Sequence, residues 1–323
     1  MAVAEEMMAE PISLSIGGRS MWGVAIVDSD ANPNNDDLAI SNDILVTLTG
    51  STVLDNGLEV ATRIDLDGGV DKDSVLGQFA AISGSFGELR VGNQDTASYK
   101  MSTAAPYATY FYGINTPFWS GSLSGHWHST FAGVGAGGAS VLYFSPVING
   151  FQFGASYTPE AGTKVNSGSV YSEEGGDAWS VGSRYDGAFG DTGVTLAAGM
   201  TSMDVRSTPD AAGRTVTDSN VGLVASMSGV SVGGSYRLTD HDNATDDSVE
   251  FDIGIMYGEG AWAVSANYGN TSQDSEDVDT DFTRLMATYN LGPGINMAGV
   301  LGTDAPQDNN DTSFAAMALL INF

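Results

Sequence analysis

Apolar and polar residues alternate along nearly the whole chain with a period of two. In the first such stretch Ile12, Leu14, Ile16, Trp22, Val24 and Ile26 share one parity, while Ser13, Ser15 and Arg19 take the other. Further on, Leu58, Val60, Ile64 and Leu66 oppose Glu59, Arg63, Asp65 and Asp67. The same alternation recurs over residues 151–157, 179–189, 230–238, 249–257 and 262–268. None of these stretches carries the i, i+3, i+4 stripe of a helix, so each predicts a β-strand. The chain closes on FAAMALLINF, which sets Ala315, Met317, Leu319, Ile321 and Phe323 on one face of an extended strand.

Two kinds of connection take turns between the strands. The short ones are Asp55-Asn56-Gly57, Ser85-Phe86-Gly87, Asn149-Gly150, Gly190-Asp191-Thr192-Gly193, Ser228-Gly229, Glu259-Gly260 and Gly292-Pro293-Gly294. Gly and Asn supply the positive φ that tight hairpins require. The long, polar ones lie near 28–38, 67–74, 93–136, 158–177, 203–218, 239–247, 270–280 and 303–312. Seven turns and eight loops join sixteen strands. No apolar run approaches the ~18 residues of a membrane-spanning helix. A chain of this kind crosses a bilayer only as a closed barrel, because lipid cannot satisfy an open sheet edge. Short turns on one side and long loops on the other are the outer-membrane arrangement. The pattern therefore predicts an all-β fold, a 16-stranded antiparallel transmembrane β-barrel. It forms a single domain over residues 11–323, preceded by a tail or processing remnant at 1–10 in which Ala2-Val3-Ala4 has cleavage-site spacing.

Charge placement agrees. With the apolar parity defining each outer face, Arg19, Arg63, Arg90, Arg184, Arg237 and Arg284 all fall on the inner one, as do Asp43, Glu59, Asp65, Asp186, Glu250 and Asp252. Random parity would place six arginines inside roughly once in 64 trials. An Arg facing lipid at the midplane costs ~2–4 kcal/mol, so a membrane enforces this segregation. Across 323 residues the net charge is −29, from 11 Lys+Arg against 40 Asp+Glu, which argues against nucleic acid as a partner. The chain is 42% hydrophobic with only 16% charged residues, unlike a disordered acidic chain. It has 42 Gly, 9 Pro and no Cys, which suits many strands and excludes a disulfide framework or thiolate chemistry.

The segments PISLSIGG, STVLDNGLEVATRIDLDGG, GSFGELRVGNQDTA and SPVINGFQFGASYTPEAGTK, with the terminal Phe323, carry a resemblance that runs from Pro11 to the end. The chain resembles the general-diffusion porins of the Gram-negative outer membrane, of alphaproteobacterial type. That resemblance implies a homotrimer of barrels, each a water-filled channel for passive diffusion of small hydrophilic solutes and ions. It also implies a third loop, here about 93–136, folded into the lumen against basic wall residues. Arg19, Arg63, Arg90, Glu59, Asp65 and Arg237 become the expected pore wall; Asp95, Lys100, Tyr110 and Trp119 become the expected constriction residues. Loops of this family often carry several acids, whereas this one has Asp95 alone. It is rich instead in aromatics (Tyr99, Tyr107, Tyr110, Phe111, Tyr112, Phe118 and Trp119), which points to a plug packed against the wall.

Other signals lead elsewhere and are weaker. Gly133-Val134-Gly135-Ala136-Gly137-Gly138 matches a dinucleotide fingerprint, but strand-like residues follow where a helix is needed. Asp28-x-Asp30-x-Asn32 begins like a calcium hand, then places Pro33 and Ala39 at the required Gly and Glu positions. Looser calcium binding at Asp36, Asp37, Asp246 and Asp247 stands beside the alternative of a solvated acidic rim; no cofactor is required. His126, His128 and His241 read as polar loop residues, with neither a third metal ligand nor a triad, so no enzyme is expected. The acidic loops predict a modest cation preference, and the alternative is a substrate-specific channel, for example for sugars stacked on the tyrosines.

Overall fold

The computed structural model describes residues 11–30, 38–68, 75–115, 123–133, 136–162, 175–205, 214–242, 247–273, 278–307 and 310–323. Sixteen strands follow in order: β1 (Ser13–Ser29), β2 (Leu38–Val53), β3 (Glu59–Asp67), β4 (Val75–Gly84), β5 (Gly87–Gln94), β6 (Gly138–Phe144), β7 (Phe151–Thr158), β8 (Gly175–Phe189), β9 (Thr192–Val205), β10 (Arg214–Met227), β11 (Val230–His241), β12 (Ser248–Glu259), β13 (Trp262–Gln273), β14 (Val278–Gly292), β15 (Ile295–Pro306) and β16 (Thr312–Asn322). Each pairs with its chain neighbours, and β1 pairs with β16, so the sheet is a closed barrel without an edge. The seam runs from Arg19 opposite Asn322 to Ser29 opposite Thr312. Gly18 N donates to Phe323 O at 2.8 Å and Phe323 N returns the bond to Gly18 O at 3.1 Å. The seven short connections and the eight long ones occur where the residue pattern put them, but strands extend into several of the long ones. β10 starts at Arg214 and β15 ends at Pro306, so Asp218 and Asp304, expected within loops 203–218 and 303–312, lie on strands. At Ser228-Gly229 both turn residues have positive φ, 51° and 82°, the twist that a two-residue hairpin needs.

Outward residues are the expected apolar set. Leu14, Ile16, Ile26, Val232, Ile253 and Met317 stand exposed on the barrel exterior. Tyr185 packs at a tilt on Phe151 with ring centres 4.6 Å apart, and Trp262 on Tyr289 at 4.5 Å, at the turn end of the wall. Aromatic clusters at a strand end are the girdle arrangement of membrane barrels.

One part of the interior departs from a polar lining. Met21, Ala25 and Val27 of β1, Met286 of β14, Ala298 and Val300 of β15, and Phe314, Ala316, Ala318 and Leu320 of β16 form a buried apolar cluster with Phe111 and Tyr112. The final strand is thus apolar on both faces, as expected of a strand covered on both sides. What covers its inner face is the connection between β5 and β6.

Candidate functional site

That connection begins with a short helix, α1 (Ala97–Met101), capped by Thr96, whose side chain accepts from Tyr99 N. Its backbone then travels along the inner wall. Ala97 N donates to Ser156 Oγ of β7 at 3.0 Å and Ser98 N to Ser180 Oγ of β8 at 2.9 Å. Ala105 N reaches Asp252 of β12 at 2.8 Å, and Ala108 N reaches Ser265 of β13 at 3.0 Å. At the far side Tyr112 Oη lies 2.7 Å from Ser41 Oγ of β2. The far turn and the return limb add anchors on β10, β14 and β15 and share Asp252 with the outgoing limb. Arg284 Nε of β14 donates to Tyr112 O at 3.0 Å, and Ser124 Oγ to Asp304 of β15 at 2.7 Å. Thr130 Oγ1 donates to Asp252 at 2.7 Å, and Gly133 N to Asp218 of β10 at 2.6 Å.

Glycines make this close approach sterically feasible. A Cβ on Gly199 would stand 2.7 Å from Ser98 Cβ, one on Gly154 2.7 Å from Met101 Sδ, and one on Gly269 2.7 Å from Ile114 Cδ1. All three belong to inner-facing positions of β9, β7 and β13. The strand glycines therefore form a seat for the side chains of the connection, not only a source of flexibility.

All six expected inward arginines have carboxylate partners, and the structure divides them into two groups. Arg19 Nε meets Asp43 Oδ2 at 2.8 Å, with the Arg19 side chain 38% exposed. Arg63 Nη2 meets Asp65 Oδ1 at 2.9 Å with 43% exposure, and Thr47 Oγ1 donates to the same carboxylate at 2.7 Å. Arg90 pairs with Glu88 and lies over the rings of Phe79 and Phe144 at 4.7 and 5.2 Å. Arg184 pairs with Asp186 at 2.6 Å. Arg237, expected among the pore-wall residues, is different. It is 4% exposed, pairs with Asp218 at 2.7 Å and Glu250 at 3.4 Å, and donates to Ser129 O of the covering segment at 3.1 Å. Its parity is inward as read, but the β5–β6 connection lies over it, so it acts as an anchor and does not face open water. Arg284, paired with Asp304 at 2.6 Å and fully buried, belongs with it.

Among the expected constriction residues, Tyr110 lies beneath the Arg19 guanidinium, 5.3 Å from ring centre to Cζ. Lys100 Nζ and Asp95 Oδ2 are 3.7 Å apart. Trp119 lies outside the described residues, as do Asp36, Asp37 and Asp246. Asp247 accepts from His241 N at 2.8 Å. Among the described residues no group of three or more His, Asp or Glu side chains is placed to hold a metal ion. Glu59 sits exposed at the start of β3. His128 lies in the β5–β6 connection, a loop residue as expected from the sequence, but not an exposed one. It is buried, with Nδ1 3.0 Å from Thr271 Oγ1 and its ring 5.2 Å from Phe282. Burial, then the nearby Arg284 and Arg237 charges, push its pKa down to about 3.

Two sets of residues escaped the sequence reading. Asp218 and Asp304 anchor the connection, and nothing in their local sequence sets them apart from other strand acids. The second set carried a signal. Phe314, Ala316, Ala318 and Leu320 interleave with the outward residues of an unbroken apolar run, and a strand facing water on one side would alternate.

No curated protein sequence matches this chain. Solved structures do. OmpT, an outer membrane protein of Vibrio cholerae described in its trimer form, is 14% identical, with 97% of this chain and 100% of that one covered at a TM-score of 0.65. An anion-selective porin from Comamonas acidovorans is 14% identical over 97% and 100% of the two chains, with a TM-score of 0.71. A variant of the Rh. blastica porin is 17% identical over 96% and 100%, with a TM-score of 0.63. At these identities the likeness is one of fold. The family model described as Gram-negative porin matches residues 1–312. A closed sixteen-strand barrel with that match over nearly its full length belongs to the Gram-negative porin family, and it is an outer-membrane channel.

Proposed function

We propose that the channel passes small hydrophilic solutes and ions down their gradients, with the β5–β6 connection narrowing the lumen and a modest preference for cations. The observation that carries the reading is the pairing of the exposed wall charges. Arg19, Arg63 and Arg90 are each matched by a carboxylate, Asp43, Asp65 and Glu88, so these pairs contribute no net charge to the wall. The chain's net charge of −29 must then be expressed elsewhere. The long external loops, which include Asp36, Asp37, Asp246 and Asp247, are where the sequence crowds its acids. A field of that sign raises the local concentration of cations at the mouth.

The outward apolar faces suit contact with outer-membrane lipid. A homotrimer is supported by the resemblance and by the trimer form described for the Vibrio cholerae protein. Diffusion of this kind needs no cofactor, and calcium at the acidic loops would be an addition to the rim.

Planar-bilayer recording with a salt gradient tests the preference. A reversal potential of cation sign is expected, and one of anion sign refutes the proposal. The same recording separates the substrate-specific alternative, which requires a current that saturates and is blocked by sugar. Tyr110 beside Arg19 is the feature that favours looking for it.

A further inference from the structure

Asp252 differs from every other buried acid of the inner wall. Asp218 and Glu250 share Arg237, and Asp304 is paired with Arg284. Among the described residues no Lys or Arg lies within ion-pair distance of Asp252, although its residue is only 3% exposed. Hydrogen-bond donors replace the missing cation. Ala105 N donates to Oδ1 at 2.8 Å, Ser235 N to Oδ1 at 3.0 Å, Ser235 Oγ to Oδ2 at 2.9 Å and Thr130 Oγ1 to Oδ2 at 2.7 Å. Asn115 Nδ2 donates to the same Oδ2.

Three of these donors belong to the connection, and they come from different parts of it. Ala105 is on the outgoing limb, Asn115 lies past the far turn, and Thr130 is on the return limb. Asn115 Oδ1 in turn accepts from Thr130 N at 2.8 Å, which closes the set. One carboxylate thereby holds three points of the connection, more than Asn220, whose Nδ2 donates to Ser102 Oγ at 2.8 Å and to Thr130 O at 3.1 Å, or the single Ser98 Oγ to Ala132 O bond at 3.2 Å. The strand beneath is shaped for the contact, since a Cβ on Gly254 would stand 3.1 Å from Ala105 Cβ.

We infer that Asp252 is the positioning residue that sets how far the β5–β6 connection projects into the lumen, and hence the size of solute the channel passes. This rests on the reading that the connection narrows the passage. An acceptor-only carboxylate suits the position, because all five groups around it donate. Asp252→Asn keeps the shape but replaces one acceptor oxygen by an NH2, so either the Ala105 bond at Oδ1 or the Asn115 and Thr130 bonds at Oδ2 are lost, and one limb is released from the other.

The test is swelling of liposomes that contain the purified channel, in neutral sugars of increasing size. Neutral solutes report cross-section without the change in wall charge. With Asp252→Asn, the rate for the largest sugar should rise several-fold relative to the smallest. Thr130→Val removes one donor and keeps the carboxylate; it should shift the ratio in the same direction by less, and it stands in if Asp252→Asn does not fold. Tyr110→Ala is the control, since it trims the connection at Arg19 and leaves the Asp252 bonds alone. A ratio altered by Tyr110→Ala and unchanged by the Asp252 and Thr130 variants overturns the role of Asp252 while the narrowing stands. A ratio unchanged in all three overturns the narrowing itself, and the role of Asp252 with it.

Discussion

The two groups of arginines have different energetic roles, although they share one parity. Arg284 is buried to zero exposure, as is its partner Asp304. Its Nε and Nη1 donate to the carbonyls of Tyr112, Thr283 and Thr303, each at 3.0 Å. Nη2 approaches Asp304 Oδ1 to 2.6 Å at an angle too oblique for a hydrogen bond, so Coulomb attraction holds the pair. Arg284→Ala would leave the Asp304 carboxylate buried with Ser124 Oγ as its remaining hydrogen-bond donor. Breaking a buried pair in this way costs about 3–5 kcal/mol, because the abandoned charge has no water to solvate it. The expected outcome is a clear fall in the denaturant midpoint of the detergent-solubilised protein. Arg63→Ala, at a half-exposed pair, should change stability by about 1 kcal/mol or less. Equal midpoints for the two variants would mean that the buried arginine is no anchor.

At the scale of strands and loops, period two was enough to read the barrel. Adjacent residues on β12 face opposite surroundings. Asp252 is clasped by five donors inside, while Ile253 stands 55% exposed on the outer face. Ile253→Arg should therefore cost ~2–4 kcal/mol of folding into lipid vesicles, the penalty for Arg on a lipid face near the midplane. An unchanged midpoint would move that face out of the membrane. Glycine and asparagine marked all seven turns, because a tight hairpin needs positive φ whatever surrounds it. The path of the β5–β6 connection was not legible in the same way. Ala105 and Asp252 are 147 residues apart, and no local periodicity links a loop amide to a distant strand acid. The aromatic richness of the connection did indicate packing, and Phe111 and Tyr112 are indeed fully buried. Of their partner surface, the sequence pattern brought out only the outward face of the β16 run, Ala315 to Phe323; the inner faces of β1, β14, β15 and β16 come together only in the closed barrel. Parity placed Arg237 on the correct side of the wall, but it cannot report what lies over a residue, and the connection covers it.

Over the whole molecule, two sources of selectivity lie at different distances from water, and salt separates them. Charge on the external loops acts through open solvent, where the screening length is ~10 Å at 0.1 M and ~3 Å at 1 M. A preference that originates at the rim must therefore fade as salt rises. Charge on the wall acts at contact range on any ion that passes Arg63, in a passage bounded by protein, and is screened much less. In the native wall this second source is silent, because Arg63 and Asp65 cancel at 2.9 Å. Arg63→Ala removes the cation and leaves Asp65 with its Thr47 hydrogen bond. The variant should be more cation-preferring than the native channel at low salt. At 1 M it should keep much of that preference, while the native channel becomes nearly unselective. Reversal potentials of both proteins at low and high salt measure the difference. If the variant loses its preference in step with the native channel, Asp65 does not face the conducting path, and that path must lie away from β3.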